Sequence, residues 1–477
     1  MHKLIKISLA AALPVLWAAG CSDFLKGGEL TNNPNVPVTG SATNGQLFVA
    51  IQTQIWSANN SEVAWSIAQW MQSLVGVARQ QIGIYNYSGI TNSTFDGDFI
   101  APYTGGGLVD IHQLEAQAAA QGDQIFVGVA QIMEAWVISE TADMWGDIPY
   151  SQAGSFTTFP TPTLDTQQSV YDSTLNLLNT AITNVTSGVG LGPTSNDLVY
   201  HGSTAKWAAF AHSLKARILL HMVAAGGATY AQVLTESNLG ISASNGSGDY
   251  VVAFDGALQF SSNNWWQFMN ANGGTGRAGD MVASNAPDTV VATRINSYLW
   301  NTLRASGDPR WAEYFDSTNA STGNMSAYRQ DPGYQQPLLT YAETQLIIAE
   351  AQHIANPGAA KTALNNAQTS WHTANAWHNA VNVPLSATAT LSDIMMEKYI
   401  TLFQNVEVWN DWKRTCIPAL TVVATGTANP LYPGIPARIY YGLTEQQTNP
   451  NIPAPGTAPN GPFNWNDPGH GCGTVHP

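Results

Sequence analysis

The stretch Ala142-Asp143-Met144-Trp145-Gly146-Asp147-Ile148-Pro149-Tyr150 closes the clearest helical pattern in the first third of the chain. Ahead of it Ile125, Val129, Ile132, Met133, Trp136 and Val137 recur at spacings of three and four, so one face from Gln124 to about Trp145 is apolar and should be buried. Gly146 can take the left-handed conformation that ends a helix, and Pro149, which has no amide hydrogen, holds Ile148 extended. The expected product is a packed helix running into a rigid turn that bears two carboxylates and two aromatic rings. Asp143 and Asp147 have the chemistry of a glycosidase acid pair. Short Asp side chains beside Gly and Pro usually accept backbone hydrogen bonds instead, so both are read as turn residues and no catalytic residue is assigned.

Working outward to the N-terminus, Lys3 and Lys6 precede an apolar run over 7–20 that ends Ala18-Ala19-Gly20 before Cys21. The run is short for a bilayer span, which takes about 20 apolar residues, and its small-residue end fits a processing site, so residues 1–20 read as a signal peptide. A Cys directly after Ala-Gly resembles a bacterial lipobox, which makes Cys21 the lipidation site, although Ala18 stands where such boxes usually have Leu. Residues 21–40, with Asn32-Asn33-Pro34-Asn35 and Pro37, read as a tether. Residues 41–477 are expected to form one helical domain with a loop-rich C-terminal tail.

Charged residues make up only 10% of the chain, against about 25% in ordinary globular proteins. Asn, Thr, Ser, Gln and Gly fill the gap, so the surface is polar but weakly charged. Loss of the signal removes two lysines and no acid, taking the formal net charge from -15 to -17. Such a chain will not seek nucleic acid or anionic lipid by electrostatics, and its membrane attachment has to come from the anchor. With Cys21 acylated, Cys416 and Cys472 remain, enough for one disulfide, and no Cys/His cluster has zinc spacing.

Helical spacing recurs over 46–56, 61–78, 203–225, 295–304, 338–353, 359–368 and 394–404, with almost no alternating strand pattern. Asp165 and Gln168 read as a capping box opening a helix to about Val185. Glu343 and Glu350 lie two turns apart on one line of their helix, beside Ala342 and Ala349, which let a neighbour approach; these glutamates are expected to bond between helices. Two long stretches, 79–107 and 237–285, lose periodicity and combine aromatics with Asn and Gly. Asp96-Gly97-Asp98 holds too few acids for an EF-hand, and no metal is expected. Gly274-Thr275-Gly276-Arg277-Ala278-Gly279 matches the dinucleotide fingerprint in form only, because a Trp/Asn-rich loop stands where a strand is needed; no cofactor is expected.

Asp143 to Tyr150 followed by Ser151-Gln152-Ala153 resembles the helix-end motif of the SusD/RagB family of nutrient-binding outer-membrane lipoproteins. Further resemblances follow in family order: Asp23-Phe24-Leu25 after the Cys, Phe210-Ala211-His212-Ser213-Leu214-Lys215-Ala216-Arg217, Asp308-Pro309-Arg310, Tyr341-Ala342-Glu343 with Ala349-Glu350-Ala351, Glu407 through Pro418, and Pro436-Ala437-Arg438-Ile439-Tyr440-Tyr441 with Asn449. His212 stands where the family has Asn, and Cys416 where it has Gly, which puts the left-handed geometry of that turn in question. The resemblance implies a mainly α SusD-like fold of tetratricopeptide-like helix pairs with long irregular loops on one face. It implies a lipoprotein on the external face of the outer membrane that captures a glycan or other nutrient and passes it to a TonB-dependent, SusC-like transporter.

Aromatic loops suit glycans, since a sugar's C–H face stacks on Trp or Tyr and amides bond its hydroxyls without charge. The ligand site is accordingly expected where the Tyr85/Tyr87 loop meets the Trp265/Trp266 loop, with one of the adjacent tryptophans anchoring and the other exposed. Two other functions fit parts of the chain. A secreted glycoside hydrolase lipoprotein fits the aromatics and the export signal but has no paired-carboxylate motif beyond the turn. A stand-alone substrate-binding protein fits everything except the family motifs.

Overall fold

The computed structural model describes residues 42–258, 261–271, 277–284, 286–287, 294–316, 324–423, 434–454, 464–467 and 472. The signal, the tether and Cys21 lie outside the described residues, as do Gly274, Thr275 and Gly276. Helices dominate: α1 Asn44–Ala58, α2 Glu62–Trp70, α3 Gln80–Tyr85, α4 Asp96–Ile100, α5 Leu108–Ala120, α6 Gln124–Trp145, α7 Gln167–Val185, α8 Thr204–Val223, α9 Tyr230–Ser237, α10 Asn264–Trp266, α11 Tyr298–Ser306, α12 Arg310–Tyr314, α13 Tyr341–Gln352, α14 Pro357–Ser370, α15 Leu391–Thr401, α16 Glu407–Thr415 and α17 Leu443–Thr448. The strands are two or three residues long and pair antiparallel: β1 Val75–Gly76 with β3 Met281–Val282, β2 Tyr250–Val251 with β6 Pro337–Leu339, and β4 Ala286–Pro287 with β5 Arg294–Ile295.

Successive helices pack on one another, α5 on α6, α6 on α7, α7 on α8 and α8 on α9, and the series continues through α9 on α13, α13 on α14 and α15, and α15 on α16. The helix-pair scaffold is therefore present, and α6 is its centre. By length and composition α6 could cross a membrane, but 89% of its most apolar window is buried inside the protein, so it is a core helix. Gly128 lets α7 approach it: a Cβ there would stand 2.6 Å from the amide nitrogen of Val185 and 2.7 Å from the carbonyl of Ala181.

The turn after α6 is where the distant C-terminal segment docks. Gly146 has φ 79° and ψ -116°, a positive-φ conformation outside the left-handed helical basin and open to glycine alone. The amide of Ile439 donates to Met144 O (2.9 Å), Arg438 Nε to Trp145 O (2.7 Å), Trp145 Nε1 to Tyr440 O (3.2 Å) and Tyr441 Oη to Asp147 O (2.6 Å). Asp147 accepts the backbone amide of Gln167 (2.8 Å), the turn role expected of it. Asp143 differs. It is buried, accepts from the hydroxyl of Tyr171, and lies 2.9 Å from Nδ1 of His221, so it joins a network of side chains rather than capping the turn.

That network is one of several among the described residues that tie the helices together. His221 Nε2 meets Glu407 at 2.7 Å, and Arg217 grips Glu343 through two bonds of 2.7 Å. Lys398 bonds Glu350 (2.8 Å) and Asp411 (3.1 Å), with Arg414 on the same two acids. Arg310 binds Asp308 (2.7 Å) and Glu397. Glu343 and Glu350 thus do bond between helices, and their partners are cations. A buried charge left without its partner is costly, so these pairs fix which helices can sit side by side.

Three local expectations are corrected. The second helix stops at Trp70, where Met71 and Gln72 turn the chain into β1. Thr166, not Asp165, caps α7 by accepting from Ser169 N (3.2 Å); Asp165 instead accepts the amides of Tyr150 (2.9 Å) and Ser151 (2.7 Å) and so closes the Pro149 turn. Cys416 is left-handed (φ 57°, ψ 26°) although it is not glycine, and it is disulfide-bonded to Cys472.

Candidate functional site

The two aromatic stretches come together through β1 and β3. Val75 pairs with Val282, and just beyond the pairing Arg79 Nη1 bonds Asp280 at 3.1 Å. The first stretch is not wholly irregular, since α3 and α4 lie within it, and two non-glycine residues with positive φ, Arg79 (51°) and Tyr87 (65°), bracket α3. Such backbone is costly and persists only where the surroundings hold it.

The four rings singled out from the sequence divide evenly. Tyr87 is 0% and Trp265 1% exposed, so both rings face the interior and offer no stacking surface. Tyr85 is half-buried against Val75 and Val282, and Trp266 is half-buried, so these two keep surface on the loop face. Trp265 is the anchor of its pair, packed edge-on to Trp65 with centroids 6.4 Å apart. Trp65, on α2, is half-buried and packs at a tilt against Phe268, centroids 4.3 Å apart, and the guanidinium of Arg277 lies 5.0 Å from the Phe268 ring. The indole Nε1 of Trp65 has no acceptor among the described residues. Helical spacing assigns Trp65 to a core helix, and only the position of α2 beside the second loop brings it into this group.

Two hollows flank α1, and Ser57 lines both. One, of ≈ 260 Å³, is walled by α1, α6 and the 97–102 segment, with Gln54, Ser61, Asp98, Glu140 and Thr141 among an otherwise apolar lining. The other, of ≈ 370 Å³, lies between α1 and the second loop and is lined by Thr53, Trp56, Phe254, Asp255, Ser261 and Asn264. Trp56 is buried and donates Nε1 to Tyr250 Oη (3.3 Å), so the half-buried Phe254, edge-on to it at 6.2 Å, is the ring that this hollow presents.

Burial raises both acids that line the first hollow. Burial pushes the Glu140 carboxyl up to about 7, against the hydrogen bond from Asn59 (3.0 Å) and the charge of Arg217, which favour its ionised form. Burial likewise raises Asp98, opposed by the hydroxyl of Ser61 at 3.0 Å. A hollow whose carboxyls lean toward the neutral form suits an uncharged, hydroxyl-rich ligand better than a cation. Asp96 faces elsewhere and accepts from Thr444 N (2.9 Å). The described residues hold one cluster with metal-ligand geometry, Asp143, His221 and Glu407, and it is the buried ion network above.

A helix-pair scaffold thus carries two aromatic loops that meet at β1 and β3, beside hollows with few charged groups in their lining. The family model described as SusD-like, "Starch-binding associating with outer membrane", matches residues 34–442, and the chain belongs to that family. Solved structures agree in fold. A SusD/RagB family protein from Bacteroides thetaiotaomicron is 20% identical with a TM-score of 0.63, covering 86% of this chain and 95% of that one. A chitin-binding SusD homologue from Flavobacterium johnsoniae is 17% identical with a TM-score of 0.68, covering 88% and 98%. A chitin-binding protein is 19% identical with a TM-score of 0.69, covering 89% and 100%. No curated protein matches.

Proposed function

We propose that this protein is a surface-exposed outer-membrane lipoprotein, anchored through Cys21, that captures a neutral glycan on its loop face and delivers it to a TonB-dependent, SusC-like transporter. Membership of the SusD-like family over 34–442 is the observation that carries this reading. The first hollow beside α1, where burial raises the carboxyls of Glu140 and Asp98, and the partly exposed rings of Tyr85, Trp266, Trp65 and Phe254 support a sugar as the cargo. Two of the neighbours in fold are chitin-binding proteins, which places N-acetylated oligosaccharides first among the probes.

No hydrolytic step is assigned. Asp143 and Asp147, the pair with the chemistry of a glycosidase, are buried and engaged by Tyr171, His221 and the amide of Gln167. The test is to purify the protein from outer membranes and incubate it with chito-, malto- and xylo-oligosaccharides. The account expects a large β-barrel to co-purify and every oligosaccharide to be recovered intact. Cleaved sugar, lost in Asp147→Asn with the fold retained, would establish the hydrolase instead; a protein recovered without a barrel would favour the stand-alone binder.

A further inference from the structure

A third hollow, of ≈ 160 Å³, shares no lining residue with the two beside α1. Its walls are the 99–104 segment, the 149–162 segment that follows the Pro149 turn, and Glu445 of α17. Phe156 is 64% and Phe159 39% exposed, and both line it. Large rings left in water at neighbouring positions are unusual on a surface made mostly of small polar residues. They are also held in place: the amides of Thr158 (3.0 Å) and Phe159 (2.8 Å) both donate to Ser155 O, and Gln152 Oε1 accepts from Thr163 N (3.0 Å) across the base of the segment.

The floor of the hollow has the complementary chemistry. The hydroxyl of Tyr103 is buried and has no hydrogen-bond partner among the described residues. A buried hydroxyl without a partner is destabilising, so an acceptor supplied by a ligand would recover free energy there. Burial raises the phenol well above its ordinary range, with Tyr441, Glu445 and Asp165 adding to the effect, so Tyr103 is a donor at any physiological pH. Glu445 and Gln152 supply a carboxylate and an amide at the rim. A hydrocarbon chain would match the phenylalanines but leave Tyr103 unsatisfied and desolvate Glu445. A ring with an apolar C–H face and hydroxyls on its edge meets both demands.

We propose that this hollow is a second carbohydrate subsite, which seats a single pyranose with its C–H face on Phe156 and Phe159 and a ring or hydroxyl oxygen accepting from the Tyr103 hydroxyl. The proposal rests on the glycan reading above and adds to it a second point of attachment. A long oligosaccharide, or two chains of one polymer, would be held at separate places on one molecule, and avidity would follow without tighter individual contacts.

The test is calorimetric titration of the mature protein with chitohexaose, maltohexaose and xylohexaose. Four forms are compared: the parent, Phe156→Ala/Phe159→Ala, Tyr103→Phe and Trp266→Ala. For the hexasaccharide that binds, the account expects two sites per chain. The double variant should leave one, with the affinity of the remaining site changed less than about twofold. Tyr103→Phe keeps the ring and should weaken the second site alone, roughly tenfold. Trp266→Ala should affect only the other site. A single site that responds to Trp266→Ala and not to the Phe or Tyr variants overturns the subsite and leaves the main reading standing. No binding of any probe to the parent overturns both. Should the double variant fail to fold, an unchanged two-site isotherm in Tyr103→Phe is itself contradictory, and so is a double variant that binds sugar normally but no longer retains the co-purified barrel.

Discussion

His221 is completely buried with a carboxylate at each ring nitrogen, Asp143 at 2.9 Å and Glu407 at 2.7 Å. The Nδ1 contact is an ion pair more than a hydrogen bond. Burial alone would lower the imidazole, but the two acids outweigh it and push it up to about 10, so it is an imidazolium in the folded protein. Because the folded pKa is raised above the ordinary 6.5, the stabilisation is full below pH 6.5 and is lost as pH climbs through about 10. His221→Gln should therefore destabilise by about 3 kcal/mol or more at pH 6, since it leaves two buried carboxylates uncompensated. Urea denaturation of parent and variant should give a gap that narrows between pH 6.5 and 10. Glu140 has the same sign of pH dependence, from burial of the carboxyl rather than from a charged partner. Its carboxyl is raised to about 7, so the folded protein holds that proton more tightly than the unfolded chain does and loses stability as pH rises from about 4.5 to 7. Glu140→Gln keeps an oxygen for Asn59 and should be more stable than the parent by about 1 kcal/mol at pH 8, a figure kept small because the residue is partly solvated. The two proteins should be equally stable near pH 4, and a gap that does not grow with pH would show that Glu140 ionises freely.

At the scale of elements, the contact of α6 with α7 sets two backbones close at Gly128. Gly128→Ala gains about 1 kcal/mol of helix propensity, but its Cβ would meet backbone atoms of Val185 and Ala181 that cannot step aside. Overpacking of that kind costs about 1 to 3 kcal/mol, so the loss should win and the thermal midpoint should fall. A midpoint at or above the parent's would mean that α7 is free to shift. What the sequence discloses and conceals follows the same logic of local against distant. Helix α6 is legible because its apolar residues repeat along 22 positions. Helix α5 is not legible in the same way: its core positions Leu108, Ile111, Leu114 and Ala118 begin straight after Gly105-Gly106-Gly107 and share the helix with alanines that carry no face. Asp165 reads as a cap in the sequence because a capping box and a turn clamp use the same residue type, and only the return of the Pro149 turn decides between them. Tyr87 and Trp265 stand in stretches without periodicity, yet their burial comes from neighbours far off in sequence. The amide of Val423 donates to the Tyr87 hydroxyl (3.4 Å), and Trp65 packs on Trp265. Composition identified the loops that meet; it could not say which rings turn inward.

The molecule as a whole divides its labour by depth. Ion networks and α6 fix the helices inside, the C-terminal segment locks onto the turn after α6, and the aromatic loops, joined by β1 and β3, are left on the outside next to the hollows flanking α1. On the proposed reading, anchoring rests on Cys21. Cys21→Ser should yield a secreted, soluble protein with unchanged glycan affinity; retention in salt-washed membranes would place the attachment elsewhere. The central claim is that the loop face captures a neutral glycan, and its most direct test is the affinity of the soluble form for a panel of neutral oligosaccharides, measured by calorimetry with Tyr85, Trp65, Phe254 and Trp266 each changed to Ala. The account predicts binding of at least one member of the panel. Removing one or more of these partly exposed rings should weaken it by about 1 to 3 kcal/mol with the thermal midpoint little changed. Affinity equal to the parent's in all four variants, or no binding by the parent across the panel, would contradict it.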